Sequence, residues 1–217
     1  TYIGIQMYDP ATDNFTPLAK LEDTGETLES NINYFIERKN GEIWVSGNVL
    51  CKLDIKDHLL TVRKVDIAVT SPGSLFEDKK QNVWMAKGEE GVYQLTPDNQ
   101  LTLHLSKDNG YVKSICEDQR GNIYVGSIRK GLFIYDKERK TFVPIDLKEK
   151  GELPVCFLYS GIPNELYIGT DGKGVVIYNI RTHEISEYKF DNNYFDSGNS
   201  KIHSILKDNS GNLWLAV

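Results

Sequence analysis

Four histidines (His58, His104, His183, His203) and three cysteines (Cys51, Cys116, Cys156) are the side chains of this 217-residue sequence best suited to proton transfer, nucleophilic attack or metal ligation. No CxxC pair and no Cys/His spacing among them reads as a metal site. No glycine-rich phosphate cradle occurs, and no carboxylate pair repeats at metal-binding spacing. The cysteines read as buried thiols, and neither a metal nor a cofactor is expected. Three acids do recur at one place in a longer pattern, Asp78, Asp118 and Asp208. An Asp opening a tight turn accepts backbone amides two residues on, which accounts for its recurrence without chemistry.

That longer pattern decides the fold. Trp44, Trp84, Tyr124, Tyr167 and Trp214 each close a short turn and stand 40, 40, 43 and 47 residues apart. The surrounding phrases run Gly41-Glu42-Ile43-Trp44-Val45-Ser46, Gln81-Asn82-Val83-Trp84-Met85-Ala86, Gly121-Asn122-Ile123-Tyr124-Val125-Gly126, Asn164-Glu165-Leu166-Tyr167-Ile168-Gly169 and Gly211-Asn212-Leu213-Trp214-Leu215-Ala216. Each is a turn, an aliphatic-aromatic-aliphatic triplet and a small residue. An apolar pair with an acid precedes the turn, as in Ile115-Cys116-Glu117-Asp118. A second apolar run follows, as in Gly131-Leu132-Phe133-Ile134-Tyr135-Asp136, and then a short fourth run, Thr141 to Ile145. Strands joined this tightly are antiparallel. Four short antiparallel strands per unit of about 40 to 50 residues is the pattern of a β-propeller blade. Two units are irregular: Arg38 stands where the first turn Asp belongs, and the fourth turn is lengthened to Ser160-Gly161-Ile162-Pro163-Asn164. Neither change touches the triplet, so the strands are expected to survive.

Each end of the chain reads as half a blade. The sequence stops three residues after Trp214, while Gly4 to Asp9 and Phe15 read as strands three and four. Joined end to end, the two halves are in register, and the interval from Trp214 round to Trp44 becomes 47 residues. The expectation is one all-β domain over residues 1–217: five repeats, with the N-terminal strands closing the last blade so that no edge stays open. The alternative is an arc of a larger, seven-bladed ring cut at the same loop at both ends.

Composition agrees with a compact β domain: 40% hydrophobic residues, 11% aromatic, 18 Gly and 7 Pro. No apolar run is long enough to span a membrane. A net charge of −6 argues against nucleic acid as a partner, because phosphate binding needs a concentrated basic face. Thr1 follows neither an initiating Met nor a signal peptide, so the sequence reads as a piece of something longer.

The unit Ser114 to Ser127, continuing through Gly131-Leu132-Phe133-Ile134-Tyr135-Asp136, resembles the two-component regulator propeller repeat, as does Lys207-Asp208-Asn209-Ser210-Gly211-Asn212-Leu213-Trp214. The resemblance covers essentially the whole chain. It implies a periplasmic sensor region of a hybrid histidine kinase of the kind found in Bacteroides-like bacteria, one that precedes further domains of the same chain and often responds to polysaccharide breakdown products. It identifies no site, since the matching residues build the blade. Streptogramin lyase-like and lactonase-like propellers carry similar turns, which keeps an enzyme as a second reading. The histidines do not support it: His58 and His183 fall in hairpin tips, His104 on an outer strand, and His203 alone on an innermost strand.

If the domain binds a ligand, the channel mouth is the geometric default, where loops from several blades meet. Loops between second and third strands supply Lys87, Glu89, Glu90, Arg129, Lys130, Asp171 and Lys173. Loops between blades supply Asn33, Asn109, Tyr111, Asn192, Asn193, Tyr194 and Phe195, and Asp191 to Ser200 is the longest of them. Sugars are held by aromatic faces, with forked donors and amides reading their hydroxyls. Arg129, Tyr111, Tyr194 and Phe195 suit those roles best for an oligosaccharide. A third reading makes the surface a docking face, for homodimerisation or for the next domain.

Overall fold

The computed structural model describes residues 6–17, 19–20, 32–56, 59–105, 110–147, 153–190 and 200–217. The chain divides into two compact units, Thr1–Glu77 and Asp78–Val217. Unit 1 holds β1 (Gln6–Asp9), β2 (Asn14–Pro17), β3 (Ala19–Lys20), β4 (Tyr34–Glu37), β5 (Ile43–Ser46), β6 (Leu50–Lys56), β7 (Leu59–Lys64) and β8 (Ser74–Glu77). β4 to β7 form an antiparallel meander, with β3 added in parallel beside β7. Val45, Cys51, Leu53 and Val62 form its core.

Unit 2 begins in the turn after β8. It holds β9 (Val83–Lys87), β10 (Gly91–Leu95), β11 (Leu101–Leu105), β12 (Val112–Glu117), β13 (Ile123–Ser127), β14 (Gly131–Asp136), β15 (Thr141–Pro144), β16 (Val155–Ile162), β17 (Glu165–Thr170), β18 (Val175–Asn179), β19 (Ile185–Glu187), β20 (Ser204–Lys207) and β21 (Leu213–Ala216). β12 to β15 and β16 to β19 are complete four-stranded antiparallel sheets in sequence order. The second strands read as unbroken apolar runs because they are covered on both faces; all of β13 is buried.

The glycine after the triplet in β13 and in β17 receives the next sheet. A Cβ on Gly126 would collide with the Val155 side chain, and one on Gly169 would stand 2.6 Å from Ile202 Cγ2. Trp84 points into a seam of the same kind. Trp84 packs edge-on against Tyr135 and Phe142 of the following sheet, with centroids 5.1 and 5.8 Å away, and tilted against His104 at 5.3 Å.

One carboxylate organises each regular turn. Asp78 Oδ1 accepts the N–H groups of Lys80 (2.8 Å) and Asn82 (2.9 Å), while Oδ2 accepts Asn82 Nδ2 and Trp84 Nε1, both at 2.8 Å. Asp118 repeats the set with Arg120, Asn122 and the Tyr124 hydroxyl, and Asp208 with Ser210, Asn212 and Trp214. Gly121 and Gly211 occupy the left-handed position of their turns, at φ +79° and +92°, and Gln81 takes it at +66° in the Asp78 turn. The acid before the turn Asp stitches repeat to repeat within each unit: Lys39 N–H donates to Glu77 at 2.6 Å, and Lys79 N–H to Glu117 at 3.4 Å.

Where Arg38 replaces the turn Asp, the acceptor moves rather than disappears. Glu42 Oε2 takes the Trp44 indole N–H at 3.0 Å, and Glu42 also pairs with Arg38 (3.2 Å) and Lys52 (2.9 Å). The Arg38 guanidinium stacks 4.4 Å above the Trp44 ring. The longer fourth turn is absorbed by an irregular register between Tyr159 and Ile162 of β16.

In unit 1 β1 pairs antiparallel with β2, and in unit 2 β20 pairs antiparallel with β21. Within unit 2, Trp84 and Tyr124 are each 1% exposed but Trp214 is 62% exposed. Trp214 keeps the local turn geometry of its repeat, and among the described residues of unit 2 its sheet consists of β20 and β21. It is therefore not a buried blade core like Trp84.

Three outcomes follow for measurement. Trp84→Ala should lower the unfolding free energy by about 3–5 kcal/mol in denaturant titration, and wild-type stability would refute its place in the seam. Cys51, Cys116 and Cys156 are buried, and burial raises the Cys116 thiol to about 12; all three should react with a thiol reagent only after denaturation. Hydrogen bonds from Trp214 and then Asn212 hold the Asp208 carboxyl at about 2, while the Lys52 ammonium and then the Trp44 N–H bring Glu42 to about 2 against the cost of burial. A depressed carboxyl stabilises the fold above its unfolded value of about 4, and that contribution is lost as pH falls towards about 2. Carboxyl carbon shifts followed through acid should show both groups titrating near 2; midpoints near 4 would remove the argument.

Candidate functional site

Backbone hydrogen bonds bring the loops between second and third strands, and the segments leading into the next sheet, to one end of unit 2. Val112 N–H donates to the Gly88 carbonyl (2.9 Å), Gly172 N–H to Ser200 (3.1 Å) and Ile202 N–H to Thr170 (3.0 Å). Isolated bridges join Gly88 to Val112 and Asp171 to Lys201. Of the residues selected from sequence, Arg129, Lys130, Tyr111, Asp171 and Lys173 all lie on this end face. Tyr194 and Phe195, like Asn109, Asn192 and Asn193, lie outside the described residues.

Tyr111 stands just before β12 with 39% of its surface exposed. Its ring lies against the Gly88 backbone, where an added Cβ would be 3.0 Å from Cε2, and its carbonyl accepts Ile128 N–H at 2.9 Å. Asp171 Oδ2 pairs with Lys201 Nζ at 3.0 Å. That hydrogen bond raises the Lys201 ammonium above its usual value against a partial desolvation cost, and the Cys156 and Tyr111 side chains also act on it. Burial pushes the Cys156 thiol up, Lys201 and Lys113 pull it back, and Asp171 opposes them. Tyr111, Lys113, Cys156, Asp171 and Lys201 thus share one electrostatic neighbourhood.

Arg129 stands against the residue before Tyr111: a Cβ added at Gly110 would lie 3.0 Å from Arg129 Cβ. Its Nη1 donates to Glu89 Oε1 at 2.8 Å, in a pair exposed on both sides. Lys87 pairs with Glu90 at 2.8 Å. Arg129 and Lys130 rim a cavity of about 220 Å³ floored by Leu132, Ile145, Leu147 and Leu153. The backbone N–H of Lys130 donates to Ser127 Oγ (3.2 Å) and that of Lys173 to Thr170 Oγ1 (3.0 Å), so hydroxyls fix both loops. A larger cavity of about 550 Å³ lies along β18 and β19 and includes none of the sequence-selected residues. Its His183 bonds the Tyr178 hydroxyl at 2.6 Å.

Lys113 and Lys201 were not selected from sequence, although a signal for them exists. Ile115, Leu158 and Ile205 are equivalent buried positions, facing Val125, Ile168 and Leu215 across their sheets. Two residues earlier stand Lys113, Cys156 and His203; four earlier stand Tyr111, Pro154 and Lys201. These register positions vary in type while their neighbours repeat. Lys113 and His203 are exposed there.

The histidines do not gather. His104 Nε2 meets Gln94 Oε1 at 2.8 Å and its Nδ1 meets the Lys140 carbonyl at 3.0 Å, so it works as a bracket in the Trp84 seam. His203 leads into β20, and His58 lies outside the described residues. Among the described residues, no group of three or more His, Cys, Asp or Glu side chains is placed to hold a metal ion.

No curated protein matches the sequence. Solved structures match its fold. The extracellular domain of the hybrid two component system BT3049 from B. thetaiotaomicron superposes with a TM-score of 0.77 at 18% identity, over 98% of this chain and 29% of that one. A streptogramin B lyase matches with a TM-score of 0.68 at 18% identity, over 88% of this chain and 64% of the enzyme. PorZ, a surface component of the type-IX secretion system of Porphyromonas gingivalis, matches with a TM-score of 0.68 at 14% identity, over 89% of this chain and 32% of PorZ. The chain thus spans less than two thirds of the length of each. Residues 106–129 match the two component regulator propeller family, and this is the segment whose Asp118 turn and fully buried β13 were described above. The chain has the fold of a β-propeller and carries the two component regulator propeller repeat.

Proposed function

We propose that this chain is the extracytoplasmic, ligand-sensing propeller of a hybrid two component sensor histidine kinase, and that it acts in carbohydrate-responsive transcriptional regulation from the periplasm. One observation carries the ligand-binding part: Tyr111 presents an exposed aromatic ring beside the Asp171–Lys201 pair on an end face built from unrepeated residues. A sugar ring stacks on such a face while charged and forked donors read its oxygens. The resemblance to the extracellular domain of BT3049 supports the sensor part. The segment itself is not an enzyme on this reading; the catalysis belongs to the kinase of the parent protein, reached through downstream domains of the same chain. A sheet whose strands close on one another in sequence is a stiff body, and stiff bodies transmit by moving rather than refolding.

A docking role has its own supporting observation. The β20–β21 sheet leaves Leu206, Trp214 and Val217 exposed, and exposed apolar groups of this size mark interaction surfaces. The lyase reading rests on fold likeness alone.

Calorimetric titration with an oligosaccharide panel separates these readings. Binding that Tyr111→Ala weakens about tenfold, a loss of about 1.4 kcal/mol, and that Arg129→Ala also weakens is the expected result. Concentration-dependent dimerisation with no sugar bound would favour docking instead, and turnover of a sugar or lactone would overturn both.

A further inference from the structure

We propose that the ligand of this end face is anionic, a sugar bearing a carboxylate or a sulfate, with Lys113 and Lys201 gripping the charged group beside the ring of Tyr111. The inference rests on reading the face as a ligand site and adds the class of ligand.

The charge balance of the face is the first ground. Its described residues include six cations, Lys87, Lys113, Arg129, Lys130, Lys173 and Lys201, against the three carboxylates Glu89, Glu90 and Asp171. The chain as a whole carries −6, so this excess runs against the background. Each of the three carboxylates already has a cation: Glu90 has Lys87, Glu89 has Arg129 and Asp171 has Lys201, at 2.8, 2.8 and 3.0 Å. Among the described residues no carboxylate forms an ion pair with Lys113 or Lys130.

The donor chemistry is the second ground. Neutral sugars are read by groups that both donate and accept, chiefly amides, together with carboxylates left available for hydroxyls. Around the described end face, residues 87–91, 110–113, 127–131, 153–156, 170–174 and 200–203 contain no Asn or Gln. The side-chain donors that dominate there are ammonium and guanidinium groups, which only donate and which pair most strongly with an oxyanion.

Placement is the third. Lys113 and Cys156 occupy the same register on adjacent inner strands, and both Lys113 and Lys201 act on the Cys156 thiol. That thiol is buried and its ionisation is opposed by burial, so the carboxylate acting on this group is that of Asp171, paired with Lys201. Two ammonium groups against one carboxylate leave a net positive charge that a ligand anion offsets.

The test is calorimetry on the 217-residue chain with trigalacturonate, its methyl ester and a sulfated chondroitin disaccharide. Trigalacturonate or the sulfated disaccharide should bind, with the methyl ester at least about tenfold weaker than its acid. Whichever of the two acids binds more tightly distinguishes carboxylate from sulfate. Raising salt from about 25 to about 250 mM should weaken the acid and leave the ester unchanged. Lys113→Ala should weaken the acid about tenfold with an unchanged thermal midpoint, because its side chain is exposed. An ester that binds as tightly as its acid, without salt dependence, would overturn the anionic assignment while leaving a sugar site standing. No binding by any of the three, together with no binding across the wider neutral panel, would overturn the site itself. Acid binding unaffected by Lys113→Ala would overturn the assigned grip.

Discussion

A single carboxylate oxygen holding an aromatic N–H or O–H governs this architecture. In the Asp78, Asp118 and Asp208 turns one Asp closes the hairpin with its first oxygen and fixes the direction of the central aromatic with its second. In the Asp78 turn the ring is held at the angle that carries it into the seam between sheets, where Trp84 meets Tyr135 and Phe142. A buried indole or phenol donor without a partner costs about 1–3 kcal/mol, so the turn acid and the seam aromatic stand or fall together. The first repeat shows the constraint most clearly. Arg38 displaced the Asp, and Glu42, four residues on in the chain, took over the indole N–H.

This dependence separates structural from functional positions. Asp, Asn, the triplet and the small residue are all used within the blade or against its neighbour, down to Gly126 and Gly169, whose missing side chains make room for Val155 and Ile202. What is left to vary is the end face: Tyr111, Pro154 and Lys201 at one register position, and Lys113, Cys156 and His203 at another. A repeat of this kind can change its ligand without changing its fold most readily at the exposed positions Lys113 and His203, which the turn and triplet contacts do not use.

The fold was legible because its signal is local and repeated. Turn Asp, left-handed Gly and continuous apolar triplet each have a physical cause that acts within a few residues, and Ile123 to Gly126 declares a doubly buried strand unaided. The placement of His183 in a hairpin tip and of His104 on an outer strand was legible for the same reason. Two things were not. The exposure of Trp214 is invisible in its own phrase, which from Asn212 to Ala216 matches Asn82 to Ala86 in kind; it depends on which strands stand beside β21. Lys113 and Lys201 escaped because their signal is a register shared by strands some 40 residues apart rather than a loop composition. Arg129, chosen for its forked donor, also pairs with Glu89, a partner one repeat away that loop sequence does not reveal.

The sheets β12 to β15 and β16 to β19 are laid down in strict chain order, each strand pairing with the one just before it. Such a chain can assemble progressively as it leaves a ribosome or a translocation pore, since each hairpin closes a short loop and needs nothing not yet synthesised. The seams follow a different clock. Val155 reaches Gly126 only after another 29 residues have emerged, so every newly formed sheet waits with one face bare until its successor arrives. Synthesis rate across these intervals, rather than the stability of the finished protein, then sets how long aggregation-prone surface stays exposed.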